Sequence, residues 1–295
     1  MTRSLGDDQG EGRDAEAAKL DASLHSPAPF YACPNCRSPL IEADERLRCA
    51  ACDSVFPVID DIPEFIAGDL SASPDPQLRR MRFIDRMAGV YESQLWYSVV
   101  MKVYGGLRAP LLPQLVRSVS DILDPVRGRV LDVACGPGTF GRRIASPAKD
   151  VWGVDVSRGM LRQGAAYAAA ERIANLHFAR ARVEALPFGD ACFDGVICCG
   201  SLHLFADTLA ALREMARVMK PAATLASFTF THGDGGLLRY EGFRRWSRDR
   251  HGLHVFERDE LGRALTESGF EDFRPEVAGS VVTFSARKRP SVCVE

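Results

Sequence analysis

Apolar runs that read as strands recur from about residue 128 onward, near 129–134, 151–155, 176–180, 193–199 and 223–230. Stretches with helical spacing separate them, and two further strands are expected near 271–278 and 280–287. Strands alternating with helices require a mostly parallel sheet covered by helices on both faces, an α/β Rossmann-like fold. The clearest helix is Asp207–Met219, where Leu209, Leu212, Ala216 and Met219 share one face and Asp207 is placed to cap the first turn. Upstream, Met81, Ile84, Met87 and Tyr91 predict helix between Gln77 and Tyr104, and Pro110 to Leu123 predicts one more.

The pattern changes before that. Residues 1–28 are polar and acidic with no sustained apolar period, which predicts a disordered tail. A small module follows at 29–66, then a Ser/Pro/Gly-containing linker at 67–76, a helical cap at 77–127 and the α/β domain at 128–290.

Composition is ordinary for a globular protein, with net charge −2 over 295 residues. The distribution of charge is not ordinary. Residues 1–28 carry three basic and six acidic side chains, residues 29–66 three and seven, and residues 76–295 carry 31 and 24. The N-terminus lacks the apolar core of a signal peptide and no apolar run is long enough to span a bilayer, so a cytoplasmic protein is expected. In a reducing compartment the nine cysteines are not read as disulfides.

Four of them form a pattern. Cys33, Cys36, Cys49 and Cys52 stand as Cys-x2-Cys-x12-Cys-x2-Cys, two knuckles able to converge tetrahedrally on one zinc from either end of a β-hairpin. Four protein ligands leave no open coordination position, so a zinc here is structural. A module this short buries little apolar surface, and metal binding would supply much of its folding free energy.

A second pattern opens the α/β region. In Val130-Leu131-Asp132-Val133-Ala134-Cys135-Gly136-Pro137-Gly138-Thr139-Phe140-Gly141 the apolar run of Val130, Leu131 and Val133 reads as a buried strand, and Gly136 to Gly141 as a tight turn opening a helix. The spacing is also Gly-x-Gly-x-x-Gly, the dinucleotide fingerprint, and a second strand ends in Asp155 at about the distance of a ribose contact. Spacing alone therefore says nucleoside cofactor and leaves a nicotinamide open.

The ordered series that follows narrows it: Val154-Asp155-Val156-Ser157 and Met160, Glu184-Ala185-Leu186-Pro187-Phe188, Phe193-Asp194-Gly195-Val196-Ile197, Leu202-His203-Leu204-Phe205, and Glu214 to Pro221. This series resembles the class I S-adenosylmethionine-dependent methyltransferases, most closely the branch with quinone-biosynthesis C-methyltransferases and small-molecule O-methyltransferases. The resemblance implies a seven-stranded sheet whose last strand runs antiparallel between its neighbours. It also implies a cofactor site drawn from Tyr91, Asp132, Ala134, Gly136, Gly138, Asp155, Val156, Met160, Val183, Glu184 and Cys199, with Asp155 on the ribose hydroxyls and Met160 on adenine. One position departs from the family: Arg182 stands where relatives carry an Asp that accepts from the adenine amino group. The stretch from Tyr31 to Phe65, with its Phe-Pro-Val-Ile-Asp-Asp-Ile-Pro tail, resembles the zinc-ribbon activators of tRNA methyltransferases.

For proton removal, His203 just past the fourth strand is the leading candidate and His232 after the fifth the reserve, since histidine accepts a proton near neutral pH. Residues 239–250 interleave arginines with Tyr240, Phe243 and Trp246, which suits an RNA strand or a lid helix with Phe243 and Trp246 turned inward. Three functions follow: methylation of a quinone-, aromatic- or polyketide-like small molecule on oxygen or carbon, methylation of an rRNA or tRNA base, or a non-enzymatic partner platform. Phosphate binding requires cationic surface. The acidic 29–66 module therefore disfavours RNA as the partner and leaves a small-molecule acceptor first.

Overall fold

The structure, a computed structural model, describes residues 30–68 and 93–290. Tyr91, the tail, the expected linker from residue 69 and the first part of the expected cap, residues 77–92, lie outside the described residues.

The α/β part is built on a seven-stranded sheet in the order β10-β11-β9-β8-β5-β6-β7. Its strands are β5 (Gly128–Val133), β6 (Lys149–Asp155), β7 (Leu176–Arg180), β8 (Phe193–Cys199), β9 (Met219–Phe230), β10 (Phe270–Ala278) and β11 (Val281–Lys288). β5 pairs in parallel with β6 and β8, β6 with β7, and β8 with β9. β11 is antiparallel to both β9 and β10, as expected. The apolar runs fix this arrangement: Val130, Leu131, Val133, Val151, Val154, Val196 and Ile197 are each at most 1% exposed, as strands covered on both faces must be.

Helices close the two faces. α1 (Gln94–Val100) continues into a π-helical turn at Met101–Gly105, and α2 (Leu112–Leu123) buries Leu112, Leu115, Val119 and Leu123 along one stripe. α3 (Gly141–Ile144) is a single turn after the glycine loop, and α4 (Arg158–Ala170) is capped by Ser157, whose hydroxyl accepts from Met160 N at 3.1 Å. α5 (Thr208–Val218) has the predicted cap, Asp207 Oδ1 accepting from Ala210 N at 2.9 Å. Its buried stripe is Ala211, Leu212, Met215 and Ala216 rather than the one centred on Leu209, and Met219 already belongs to β9. α6 (Glu241–His251) and α7 (Arg258–Glu267) precede the last hairpin.

The cysteine module is a four-stranded antiparallel sheet of β1 (Leu40–Ala43), β2 (Arg46–Cys49), β3 (Val55–Ile59) and β4 (Ile62–Pro63). It packs against the large sheet instead of standing apart. Just past β4, Glu64 bridges in parallel to Arg180 at the end of β7, Phe65 N donates to Arg180 O at 2.8 Å, and Ala32 N donates to Pro187 O at 3.0 Å. Backbone that would otherwise form an open sheet edge is thereby paired. Phe30 and Tyr31 enter the core with Trp152, Phe188 and Phe193, ring centroids 4.7–5.5 Å apart. Tyr31, Leu40, Leu47 and Phe56 share one apolar cluster with Leu131 and Val133 of β5.

Candidate functional site

The strand order reverses at β5, which leads to β6 on one side and β8 on the other. In an open α/β sheet such a reversal leaves a crevice at the carboxyl ends of the strands, where nucleotides bind. Asp132 stands at the end of β5 and Asp155 at the end of β6, with the glycine turn between them. Ala134, Gly136 and Gly138 all have positive φ, at 53°, 55° and 71°. For Ala134 that conformation costs roughly 1 kcal/mol against its Cβ, strain of the kind held at functional loops.

Asp155 organises this loop. Its Oδ2 accepts from Gly136 N at 2.9 Å and its Oδ1 from Ser157 N at 2.8 Å, so one carboxylate ties the glycine turn to the start of α4. Asp132 is 1% exposed and its Oδ2 accepts from Gly141 N at 3.0 Å. Burial, opposed by that one bond and reinforced by the neighbouring Asp155 charge, pushes its carboxyl up to about 8. Two acidic side chains thus stand beside the glycine turn at the carboxyl edge of the sheet, a place chemically suited to a hydroxylated, cationic ligand.

Other expected cofactor residues surround these two. Met160 is buried in the first turn of α4, and the Val156 carbonyl accepts from Arg180 Nε at 2.8 Å. Val183 is buried in a short helical turn after β7, while Glu184 is partly exposed and paired with Arg182, Nε to Oε2 3.3 Å. The departing arginine is therefore turned toward the Glu184 carboxylate. Cys199, half-buried at the end of β8, has a thiol that burial holds well above its ordinary range.

The two histidines differ. His203 is buried, its Nδ1 3.1 Å from Thr229 Oγ1 and its ring 4.8 Å from Phe230, and burial pushes its pKa down to about 3. His232, at the exit of β9, is partly exposed, with Nδ1 3.7 Å from Glu257 Oε1 and a buried Nε2 that has no hydrogen-bond partner. Its pKa is also lowered, by burial first and then by the Arg244 charge, with Glu257 opposing. On α6, Phe243 is partly buried against Tyr104, as expected of a lid, but Trp246 is 51% exposed and not turned inward. The helix is too polar to bury both rings: arginines occupy the positions around them.

Sequence reasoning missed Glu64. This carboxylate is 3% exposed and bidentate to Arg158, Nε to Oε1 2.7 Å and Nη2 to Oε2 2.9 Å, and it also accepts from Arg180 Nη1 at 2.8 Å. Burial works against its ionisation, but the two guanidinium groups outweigh it and hold Glu64 below the usual carboxylate range. Arg158 is the first residue of α4, directly after the Asp155 loop, so the cysteine module grips the loop that shapes the crevice.

In that module the Sγ atoms of Cys33, Cys36, Cys49 and Cys52 all lie within 4.8 Å of one another, with Cys33–Cys52 at 3.6 Å and Cys36–Cys49 at 3.3 Å. A tetrahedron of thiolates at ~2.3 Å from zinc has edges of about 3.8 Å, so the set fits that ion. Donors on Ser38 and Ser54 hold the Cys36 and Cys52 thiols low, whereas burial raises those of Cys33 and Cys49.

Comparison with known proteins agrees with this geometry. The family described as "Methyltransferase domain" matches residues 130–222. A demethylmenaquinone methyltransferase from Renibacterium salmoninarum is 38% identical over 124 residues, 42% of this chain and 50% of that protein. The chain spans about half the length of the curated relatives it matches. A phosphoethanolamine N-methyltransferase from Haemonchus contortus, solved with S-adenosyl-L-methionine, superposes with a TM-score of 0.55 at 17% identity, covering 71% of this chain and 60% of that one. A chain from the complex of the Haloferax volcanii Trm112 methyltransferase activator with a methyltransferase superposes at 0.53 and 16% identity, covering 70% of this chain and 97% of that one. Likeness at these identities concerns the fold. Residues 130–222 match the methyltransferase-domain family, and they lie on a sheet of class I methyltransferase fold behind a four-cysteine module.

Proposed function

We propose that the chain is an S-adenosylmethionine-dependent methyltransferase that methylates oxygen or carbon of a quinone-, aromatic- or polyketide-like small molecule. The observation that carries this reading is the pair of acidic side chains, Asp132 and Asp155, meeting a left-handed glycine turn where the strand order reverses. The demethylmenaquinone relative supports the acceptor class.

In this reading Asp132 faces the cationic methionine part, Asp155 takes the ribose hydroxyls, and Met160 and Val183 pack on adenine. Arg182 offers the ring no acceptor, and its partner Glu184 or the Val183 backbone takes that place. When bound, the cofactor supplies an electrophilic methyl on its sulfonium. The protein's task is then to align the acceptor, exclude water and remove its proton. His232 is the better base. A histidine held at about 3, like His203, is a poor proton sink near neutral pH. His232 has the Glu257 carboxylate 3.7 Å from one ring nitrogen, beyond hydrogen-bond reach, and a second nitrogen with no partner that is left as a proton acceptor. His203 is assigned to fixing the end of β9 through Thr229. The four thiolates would hold a zinc that stabilises the module without entering the reaction.

The test is transfer of labelled methyl from S-adenosylmethionine into a metabolite extract and, separately, into total RNA. Label in an extractable small molecule is expected; label in RNA alone refutes the acceptor class, and label in neither refutes the activity.

A further inference from the structure

Large apolar side chains exposed on a folded protein are ordinarily scattered. Here they are not. Of the eleven among the described residues, eight fall in two segments: Leu95, Val99, Val103, Leu107 and Leu111 in one, Leu237, Tyr240 and Trp246 in the other. Leu107 is 92% and Leu95 75% exposed. Leu95, Val99 and Val103 recur at every fourth position through α1 and the π-helical turn, and Leu107 follows just past the helix end at Gly106, whose φ is 90°.

The two segments meet. A Cβ on Gly235 would stand 1.9 Å from the Gly105 carbonyl oxygen, so backbone touches backbone there. Tyr104 lies 5.8 Å from Phe243, which lies 5.4 Å from Trp246. Between the segments opens a cleft of about 670 Å³ whose lining includes Lys102, Leu107, Arg108, Arg239 and Tyr240. Gly235 follows β9 and Gly279 sits in the β10–β11 turn, so the cleft lies at the carboxyl edge of the sheet, the edge that carries Asp132 and Asp155.

Charge accompanies these residues. Residues 94–111 hold Lys102 and Arg108 and no acid; residues 234–250 hold five arginines against Asp234, Glu241 and Asp249. Seven bases less three acids give the rim a charge of +4. Exposed aliphatic groups, a Trp and a Tyr, and a surplus of arginine around an open cleft match a lipid interface, where apolar side chains enter the acyl boundary and cations meet anionic headgroups.

We propose that this rim is a docking face for an anionic lipid bilayer, and that the cleft takes a lipophilic acceptor from that bilayer. The second half rests on the methyl-transfer reading; the docking face does not. RNA is a poorer occupant, because Leu95, Val99, Val103 and Leu107 offer no π-face for a base. A second copy is also poorer, because a two-fold contact would set one +4 rim against another. No helix among the described residues is long and apolar enough to cross a membrane, so the attachment is peripheral.

Sedimentation of the full chain with phosphatidylcholine vesicles containing about 30 mol% phosphatidylglycerol tests the proposal. Binding is expected to fall about fivefold or more on pure phosphatidylcholine or with Arg108→Glu plus Arg239→Glu, and about tenfold with Leu95→Asp plus Leu107→Asp. Ile41→Asp, at an exposed site on the cysteine module, should bind as the parent does. All these side chains are exposed, so unchanged thermal unfolding certifies the variants. Three results each overturn the docking face: no sedimentation with anionic vesicles; a dimer that the leucine variant splits; or RNA binding lost in the arginine variant but kept in the leucine variant. A chain that binds vesicles but no S-adenosylmethionine in calorimetry keeps the docking face and refutes the methyl-transfer reading instead.

Discussion

Asp132 gives the sharpest test of the cofactor site. Its carboxyl is buried, has one backbone donor in Gly141 and faces the charge of Asp155, which together raise it to about 8. At pH 7 it is then about nine-tenths protonated, and a cation bound beside it restores the carboxylate by displacing the proton. Binding of S-adenosylmethionine should therefore release about 0.9 proton per site at pH 7 and about 0.1 at pH 9. By the same linkage, affinity should weaken about tenfold, or ~1.4 kcal/mol, for each pH unit below 8 and level off above it. Calorimetry in phosphate and in Tris reads the proton count from the difference in apparent enthalpy. Asp132→Asn should flatten the pH dependence and abolish most of the release. An unchanged affinity between pH 6 and 8, or a release that survives Asp132→Asn, would refute the placement of the cofactor's cationic part.

Three further outcomes are expected. Glu64→Ala leaves the buried Arg180 without its charged partner and should cost about 3 kcal/mol, read as a lower midpoint in denaturant, with weaker S-adenosylmethionine binding because Arg158 and Val156 border the Asp155 loop. His232→Gln should lower kcat while leaving cofactor affinity intact. In the parent, kcat should rise with pH through an apparent pKa below 6.5, because the lowered pKa of His232 leaves the neutral base in place at pH 7. Chelation of zinc, followed by metal analysis and circular dichroism, should unfold the cysteine module; a module that keeps its fold with no metal bound would rule out the structural role assigned to the four thiols.

Much of the sheet was legible because a strand buried on both faces must be apolar throughout, as β5 and β8 are, and because turns between them need glycine, as Gly136 and Gly138 show. The cysteine spacing was legible for a similar reason: tetrahedral coordination fixes the spacing within each Cys-x2-Cys knuckle more tightly than any packing rule. What local pattern could not give was the partnership of distant residues. Glu64 looks like any acid at the end of a short strand; only the fold brings it to Arg158 and Arg180. His203 was attractive by its place after a strand, but sequence does not report that Phe230 and Thr229 would bury it. Trp246 was expected inward by helical phase, yet its side of α6 is half exposed, and the arginines around it keep that face polar.

The uneven charge of the chain also gains a location. The module at 29–66, three basic against seven acidic, docks on β7 at one end of the sheet. The +4 rim gathers beyond β9, four strands away, or about 19 Å at the usual strand spacing. Charges that far apart exceed the ~8 Å screening length of physiological salt and act independently. Asp60 and Glu64 of the module are paired with Arg162, Arg158 and Arg180, so an anionic surface attracts the rim more strongly than the module end, and this difference turns the open cleft toward it. Reversing the rim with Arg108→Glu plus Arg239→Glu should abolish that orientation as well as the affinity, so a spin label placed at Ile41 should stay water-exposed in the parent on anionic vesicles. Should the label instead enter the lipid while Leu107 stays in water, the molecule docks by its acidic end, and charge is not what orients it.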